Sequence, residues 1–313
     1  LTTATMLLTC KRLVRKMLGV ESLARRITDT GNRTQQGLLA LGNALHSARL
    51  TPEARLGAAD YRRCAEVVAL LRPCRVDGVG FVRVGGHHDG GYVMLDDFGP
   101  SGVGAAYGCG VGDEVSWEFA MAERGFDVFL YDHTVARPPV SHPRFRFSRT
   151  GLCGHPAVAN CATLDALVAA NGHENRRDLI LKMDVEGAEW ATLAAASEET
   201  LARFRQIVVE FHDLGDALDP ARRGPLLEVL AKLRRTHQSV HVHGNCTQLP
   251  VWIGDLVLPR VLEVTYVRRE DHAGRFTPRD ESFPTELDEP NLPGWPDIHL
   301  GRFGLPATDG TGS

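Results

Sequence analysis

From residue 102 onward the chain alternates short unbroken apolar runs with stretches of helical spacing. The runs Val103–Tyr107, Val128–Tyr131, Phe145–Ser148, Leu179–Met183, Ile207–Phe211, Val240–Val242 and Leu262–Val267 predict seven strands. Helices are expected to begin near Glu114, Thr163, Glu186, Pro220 and Ile253. Thr163 and Asp219 are suited to cap two of them, with Pro220 in the first helical position. Strand–helix alternation of this kind predicts an α/β fold built on a doubly wound, seven-stranded Rossmann-like sheet.

Upstream the period differs. Residues 1–73 pattern as helices, an amino-terminal extension to the sheet. The last of these helices has Thr51 as cap, Pro52 and Glu53 in its first turn and Pro73 as its stop, with Tyr61, Cys64, Val67, Val68, Leu70 and Leu71 on its apolar positions. The stretch Met6–Leu18 interleaves charge with apolar residues as an amphipathic helix does, and a packing or homo-oligomer contact is expected of it. Phe81–Val84 and Tyr92–Leu95 flank the glycine-rich turn Gly85-Gly86-His87-His88-Asp89-Gly90-Gly91, which predicts a β-hairpin ahead of the main sheet. Beyond Arg269 the chain turns to Pro, Gly, Asp and Thr. Trp295, Ile298, Leu300 and Phe303 are expected to pin part of this tail, and residues 307–313 to be loose. The expected division is 1–73, 74–270 and 271–313.

Composition narrows the function classes. At 313 residues, 43% hydrophobic and 24% charged, the chain is of ordinary globular make-up. A net charge of −4 and few aromatics give no field for nucleic acid. The seven cysteines are scattered, odd in number and contain no CxxC pair, so neither structural zinc nor a disulfide framework is expected. A reduced, cytoplasmic chain is expected. No apolar run reaches membrane-spanning length.

The candidate chemistry sits at predicted strand ends. In Gly108-Cys109-Gly110-Val111-Gly112 the alternate glycines allow a cofactor to approach the backbone closely as the loop turns toward a helix. Asp132 closes the next strand twenty residues beyond Gly112, where an acid accepts hydrogen bonds from a ribose diol. The third glycine of the dinucleotide fingerprint would fall at Asp113. Gly-x-Gly-x-Gly followed by an acid is instead the pattern of an S-adenosylmethionine site. Asp184 ends the fourth strand, and Glu210 and His212 share one side of the fifth because side chains alternate. If those strands are neighbours, the three residues converge. Two acids and an imidazole suit a divalent cation such as Mg2+. They equally suit the orientation of a substrate hydroxyl, with His212 as general base. His241 and His243 repeat the alternation on the sixth strand, so His243 is a candidate for the same centre. His87, His88 and Asp89 are placed to cover a cofactor.

Leu181-Lys182-Met183-Asp184-Val185-Glu186-Gly187-Ala188-Glu189-Trp190 resembles the Lys-x-Asp-x-Glu-Gly-Ala-Glu signature of FkbM-like methyltransferases. Other stretches resemble the related methyltransferase-like group. They are Asp89-Gly90-Gly91-Tyr92, the glycine loop running into Ser116-Trp117-Glu118, Tyr131-Asp132, Val209-Glu210-Phe211-His212, and His241-Val242-His243-Gly244-Asn245. The similarity spans about residues 75–270. Two positions depart from it: Ala106 stands where many members have an acid, and Cys246 where relatives often have Asn. The resemblance implies a class I methyltransferase using S-adenosylmethionine, usually on oxygen of a sugar or natural product. On this reading Asp89, Gly108, Gly110, Gly112, Asp132 and Asp184 bind the cofactor. Asp184, His212 and His243 carry the reaction, and Asp184, Glu210 and His212 are the metal candidates. Two alternatives stay open: a nicotinamide-dependent oxidoreductase, and a non-catalytic cofactor-binding or assembly protein acting through residues 1–73.

Overall fold

The computed structural model describes residues 58–99, 104–155, 157–253 and 256–304. In chain order the elements are α1 (Ala58–Leu71), β1 (Cys74–Val76), β2 (Phe81–Val84), β3 (Tyr92–Leu95), β4 (Ala105–Cys109), α2 (Ser116–Glu123), β5 (Asp127–Tyr131) and β6 (Phe145–Ser148). Then come β7 (Gly151–Leu152), β8 (Cys161–Ala162), α3 (Leu164–Ala170), β9 (Leu179–Met183), α4 (Glu189–Ala195), α5 (Glu198–Leu201) and β10 (Phe204–Phe211). The chain continues with α6 (Pro220–Thr236), β11 (His237–Gly244), β12 (Val251–Ile253), β13 (Leu256–Leu258), β14 (Leu262–Arg268) and β15 (Phe276–Pro278).

The seven apolar runs pair into one sheet of order β11-β14-β10-β9-β4-β5-β6. Neighbours from β10 to β6 run parallel, and β14 alone is reversed, antiparallel to both β10 and β11. This is a Rossmann-like α/β sheet. The chain leaves β4 toward β5 and β6, then returns to place β9 on the other side of β4. That reversal opens a crevice at the carboxyl ends of β4 and β9, where ligands bind in such sheets.

Both faces of the sheet are covered, so its central strands β4 and β9 are buried at every position. On one face α1, α3, α4 and α6 bury Leu71, Leu164, Leu193 and Leu230 against Tyr107, Leu181 and Val209. On the other, Trp117 and Met121 of α2 pack with Tyr92 and Met94 of β3 against Ala106, Val128 and Ile180. The β2–β3 pair therefore takes a layer position beside a single helix, and β3 lies over β10, β11 and β14. Thr163 caps α3 by accepting from Ala166 N, and Asp219 caps α6 by accepting from Ala221 N.

Three local expectations are corrected. No helix begins at Ile253; β12 and β13 form an antiparallel pair there, since Val251, Trp252 and Ile253 and then Leu256, Val257 and Leu258 are extended, β-favouring runs. The helix expected at Glu186 starts at Glu189, because Glu186 and Gly187 turn through positive φ (53° and 101°). Trp295 is 47% exposed and pins nothing, whereas Ile298, Leu300 and Phe303 are buried as expected. The calls on Met6–Leu18, Thr51, Pro52, Glu53, Val103 and residues 307–313 lie outside the described residues. Among the described residues no helix is long and apolar enough to cross a membrane, and the six described cysteines are free thiols.

The segment after β14 is tied to the sheet by polar contacts. β15 pairs with β1. Arg279 is stacked between the rings of Phe81 and Phe283, 4.3 and 4.9 Å from their centroids, and donates to Val240 O and toward His241 Nδ1. His241 Nε2 then faces Asp288 at 2.8 Å. Burial lowers the pKa of His241, consistent with a neutral ring that donates from Nε2 and accepts at Nδ1.

His237, fully buried at the start of β11, carries a pH dependence. Its Nε2 faces Phe204 O at 2.9 Å and its Nδ1 the Thr236 hydroxyl at 2.8 Å. Burial depresses its pKa to about 4. The fold thus holds the neutral ring, while the unfolded chain protonates at the ordinary value of 6.5. This contribution is present above pH 6.5 and is lost as the pH falls toward 4. Chemical denaturation across that window should show about 3 kcal/mol of stability lost through this residue. His237→Gln should flatten that part of the profile; an unchanged slope in the variant would refute the assignment.

Candidate active site

The crevice at the ends of β4 and β9 is a cleft of about 480 Å³. Its floor is where two strand ends meet. Asp184 N donates to Cys109 O at 2.9 Å, and Gly110 N to Tyr131 O at 3.0 Å. Gly110 has φ +84°, and a Cβ there would lie 1.5 Å from Asp184 O. No side chain fits between these backbones. Gly112, at φ +52°, has open space where its Cβ would be. Gly110 and Gly112 line the cleft; Gly108 does not. A Cβ on Gly108 would instead meet Glu118 Oε1 at 2.4 Å, so this glycine makes room for a buried side chain rather than for a ligand.

Asp132 also lines the cleft, with its carboxylate turned to the chain. One oxygen accepts from Val111 N and Gly112 N at 2.9 Å each, the other from Thr134 N and Oγ1 at 2.6 Å each. Burial alone would raise its pKa; the four donors outweigh burial and bring it to about 2. The expected ribose acceptor is therefore, in this structure, the group that shapes the glycine loop. Beneath the loop, Lys182 is the single charged residue in an otherwise apolar strand. Its Nζ donates to Gly110 O at 2.7 Å and lies 3.8 Å from Glu118 Oε1 and 3.9 Å from Asp184 Oδ2. Burial works against its charge, but Glu118, Asp184 and Glu210 outweigh it and raise the pKa, so the ammonium is kept.

Asp184, Glu210 and His212 do converge. Each offers a ligand atom, and the three atoms lie within 4.8 Å of one another. Asn245 Nδ2 donates to Glu210 Oε1 at 2.7 Å, while Glu210 Oε2 is buried without a partner. Glu189 organises the approach: it accepts from Val185 N at 2.8 Å and Gly187 N at 3.0 Å, and faces His212 Nδ1 at 3.1 Å. One carboxylate thus holds both the turn after β9 and the imidazole ring. His212 Nε2 points to Glu186 Oε2 at 3.3 Å and Glu210 Oε1 at 3.9 Å. Burial alone would lower the pKa of His212, but the bond and charge of Glu189, with Asp184 and Glu186, push it up to about 9. In this state the ring carries its proton at neutral pH and donates.

His243 does not join the group. Its Nδ1 faces Glu263 at 3.0 Å and its Nε2 Asp297 at 2.7 Å, both buried contacts. The reversed strand β14 separates β10 from β11, and Glu263 is its register partner toward both Glu210 and His243. A histidine with both nitrogens engaged by carboxylates is a fastening, here between β11 and the segment around Asp297.

Asp89 lines the opposite wall, on a turn held from outside. Glu289 accepts from His88 N at 3.2 Å and faces His87 Nδ1 at 2.9 Å; His88 Nδ1 lies 2.9 Å from Pro290 O; and Asp89 N donates to Asn291 O at 3.2 Å. His87 itself is exposed. Tyr92, from the same hairpin, lines the cleft with a buried hydroxyl that has no partner. Lys182, Glu118, Glu189, Tyr92 and Asn245 are the residues that were not singled out for a role. Lys182 had a signal, a charge inside an otherwise apolar strand; Glu118 and Tyr92 lie in the stretches Ser116-Trp117-Glu118 and Asp89-Gly90-Gly91-Tyr92 that carry the resemblance, which gives neither a role by itself. Among the described residues the cleft has seven acids on its walls (Asp89, Asp113, Glu114, Glu118, Asp132, Asp184, Glu186) and Lys182 as its one Lys or Arg. Such a site favours a ligand carrying positive charge.

Residues 130–235 match the model of a known family, described as the methyltransferase FkbM domain. The stretch runs from the end of β5 to α6 and includes Asp132, Lys182, Asp184, Glu189, Glu210 and His212. The resemblance to FkbM-like methyltransferases is borne out over these residues, and methyl transfer is the activity it supports. The glycine loop, Asp89 and His243 fall outside the match. No curated protein matches the chain.

The close contact of Gly110 with Asp184 gives a direct test of how the floor is built. Gly110→Ala should cost about 3 kcal/mol or more in denaturant unfolding, because both the positive φ and the backbone contact oppose it. Gly112→Ala should cost about 1 kcal/mol, from φ alone. Equal losses at the two positions would show that the Gly110 contact is not tight.

Proposed function

We propose that the protein is an S-adenosylmethionine-dependent O-methyltransferase acting on a hydroxyl of a small molecule or sugar. The observation that carries this reading is the cleft itself: glycines at positive φ on the floor between β4 and β9, under walls with seven acids and one ammonium. S-adenosylmethionine has a net positive charge and, when bound, supplies a methyl group already activated by its sulfonium. The walls lower the free energy of that cation relative to water. Gly112, open where its Cβ would be, leaves space for its bulk against the backbone, and Gly110 lets the two strand ends meet beneath it. Asp132 holds the loop in the shape this requires, and Asp89 closes the site from the hairpin.

The remaining work is alignment and proton removal. Asp184, which lines the cleft, stands within 4.8 Å of Glu210 on β10 and of His212 just after it. Glu210 Oε2, buried and unpartnered, is free to accept the hydrogen bond of an incoming hydroxyl. His212, steadied at Nδ1 by Glu189, orients the same oxygen from its Nε2 side. Asn245 keeps the Glu210 carboxylate in place.

Calorimetry with S-adenosylhomocysteine should show micromolar binding; no binding would overturn the reading. Product release with S-adenosylmethionine, measured over a panel of sugar and small-molecule hydroxyl acceptors, identifies the substrate. His212→Ala should then lower turnover by about 100-fold or more, as loss of a group that acts at the reacting oxygen does. The same variant should leave S-adenosylhomocysteine affinity within about threefold of wild type.

A further inference from the structure

We propose that Asp184, Glu210 and His212 form a binding site for one divalent cation of the Mn2+ class. The geometry is that of a metal site before the ion arrives. Three ligand atoms, two carboxylate oxygens and one imidazole nitrogen, come within 4.8 Å of one another, and Asp184 among them lines the cleft. They are carried by the end of β9, by β10 and by the residue that follows β10, so rigid strands rather than surface loops set their spacing.

Two observations independent of this clustering call for a ligand here. Glu210 is 95% buried, yet its Oε2 has no hydrogen-bond partner among the described residues. A buried carboxylate oxygen left unmatched has lost its hydration with nothing in exchange. Tyr92 is 98% buried, lines the same cleft, and likewise has an unpartnered hydroxyl. Polar atoms this deep are satisfied in folded proteins by something, and a hydrated cation with its waters meets both needs.

The surroundings are those that metal ligands have. A ligating histidine commonly bonds to a carboxylate through its other nitrogen, which fixes the ring. His212 does so with Glu189 at 3.1 Å, and Nε2 is left facing the carboxylates. Glu210 is held in turn through Oε1 by Asn245. Lys182 sits 3.9 Å from Asp184 Oδ2 and opposes a second positive charge, but it also donates to Gly110 O, and Asp89 and Glu186 add negative charge on the cleft side. Mixed oxygen and nitrogen ligands select a borderline ion over Ca2+, which prefers oxygen alone. Three protein ligands leave positions open for water or an acceptor oxygen. That role toward the acceptor rests on the methyl-transfer reading; the binding of the ion does not.

The test is titration of the full chain with MnCl2 in the absence of any cofactor, read by calorimetry and by the electron paramagnetic resonance signal of free Mn2+. One Mn2+ per chain is expected. Glu210→Gln and Asp184→Asn should each weaken it by at least about tenfold. Glu199→Gln, exposed on α5 away from the cleft, should leave it unchanged. Circular dichroism melts of each variant show whether it is folded, and Glu189→Gln, which removes no ligand, should weaken the ion by a smaller factor. Absence of saturable binding in the wild type overturns the proposal, as does equal affinity in wild type, Glu210→Gln and Asp184→Asn. Because no cofactor is present, failure here leaves the methyl-transfer reading standing, and Mn2+ binding without S-adenosylhomocysteine binding would overturn only that reading.

Discussion

The contact between Gly110 and Asp184 is the constraint on which the site depends. The backbones of two parallel strands approach until no Cβ fits between them, and everything chemical is arranged around that junction. Lys182 reaches up from inside the sheet to Gly110 O. Asp132 reaches across from β5 to the amides of Val111 and Gly112. Glu189 folds back over the turn after β9 to Val185 N and Gly187 N. Each of these side chains satisfies backbone groups that a strand leaves unpaired when it ends, so the loops are rigid before any ligand arrives.

The second governing feature is charge. Burying acids raises the pKa of Glu118, Asp184 and Glu210, with Asp184 reaching about 6, and Lys182 offsets this only in part. A fold tolerates such an excess when the site is meant to meet positive charge. The sulfonium cofactor and the divalent metal that we propose are two answers to one electrostatic question. Asp184 is common to both: it lines the cleft with Asp89, Gly110, Gly112 and Asp132, and it stands within 4.8 Å of Glu210 and His212.

The hairpin and the carboxyl-terminal segment act on the site at a distance. Glu289, Pro290 and Asn291 grip the turn that carries Asp89. That segment is anchored in turn by His241–Asp288 and His243–Asp297. Residues on β11 that point away from the chemistry thus help place one wall of the cleft. Burial raises no barrier to the His241 and His243 contacts because both nitrogens of each ring have a partner.

Periodicity is local, and what depends on it was legible in the sequence. All seven strands of the sheet and the caps Thr163 and Asp219 follow from it; the convergence of Asp184, Glu210 and His212 was expected only if β9 and β10 are neighbours, which the sheet order supplies. Lateral order is not local. Nothing in the run Leu262–Val267 says that it enters the sheet backwards between β10 and β11, yet that insertion puts Glu263 in front of His243 and removes this histidine from the centre it was expected to join. The same holds for Asp132, which spacing marks only as an acid at a strand end expected to meet a ribose, and whose four hydrogen-bond donors from the chain are known only once the loop is folded against it. Pattern determines which residues reach the rim; packing decides which of them face the ligand and which hold the others in place, because that choice is made by partners far apart in the chain.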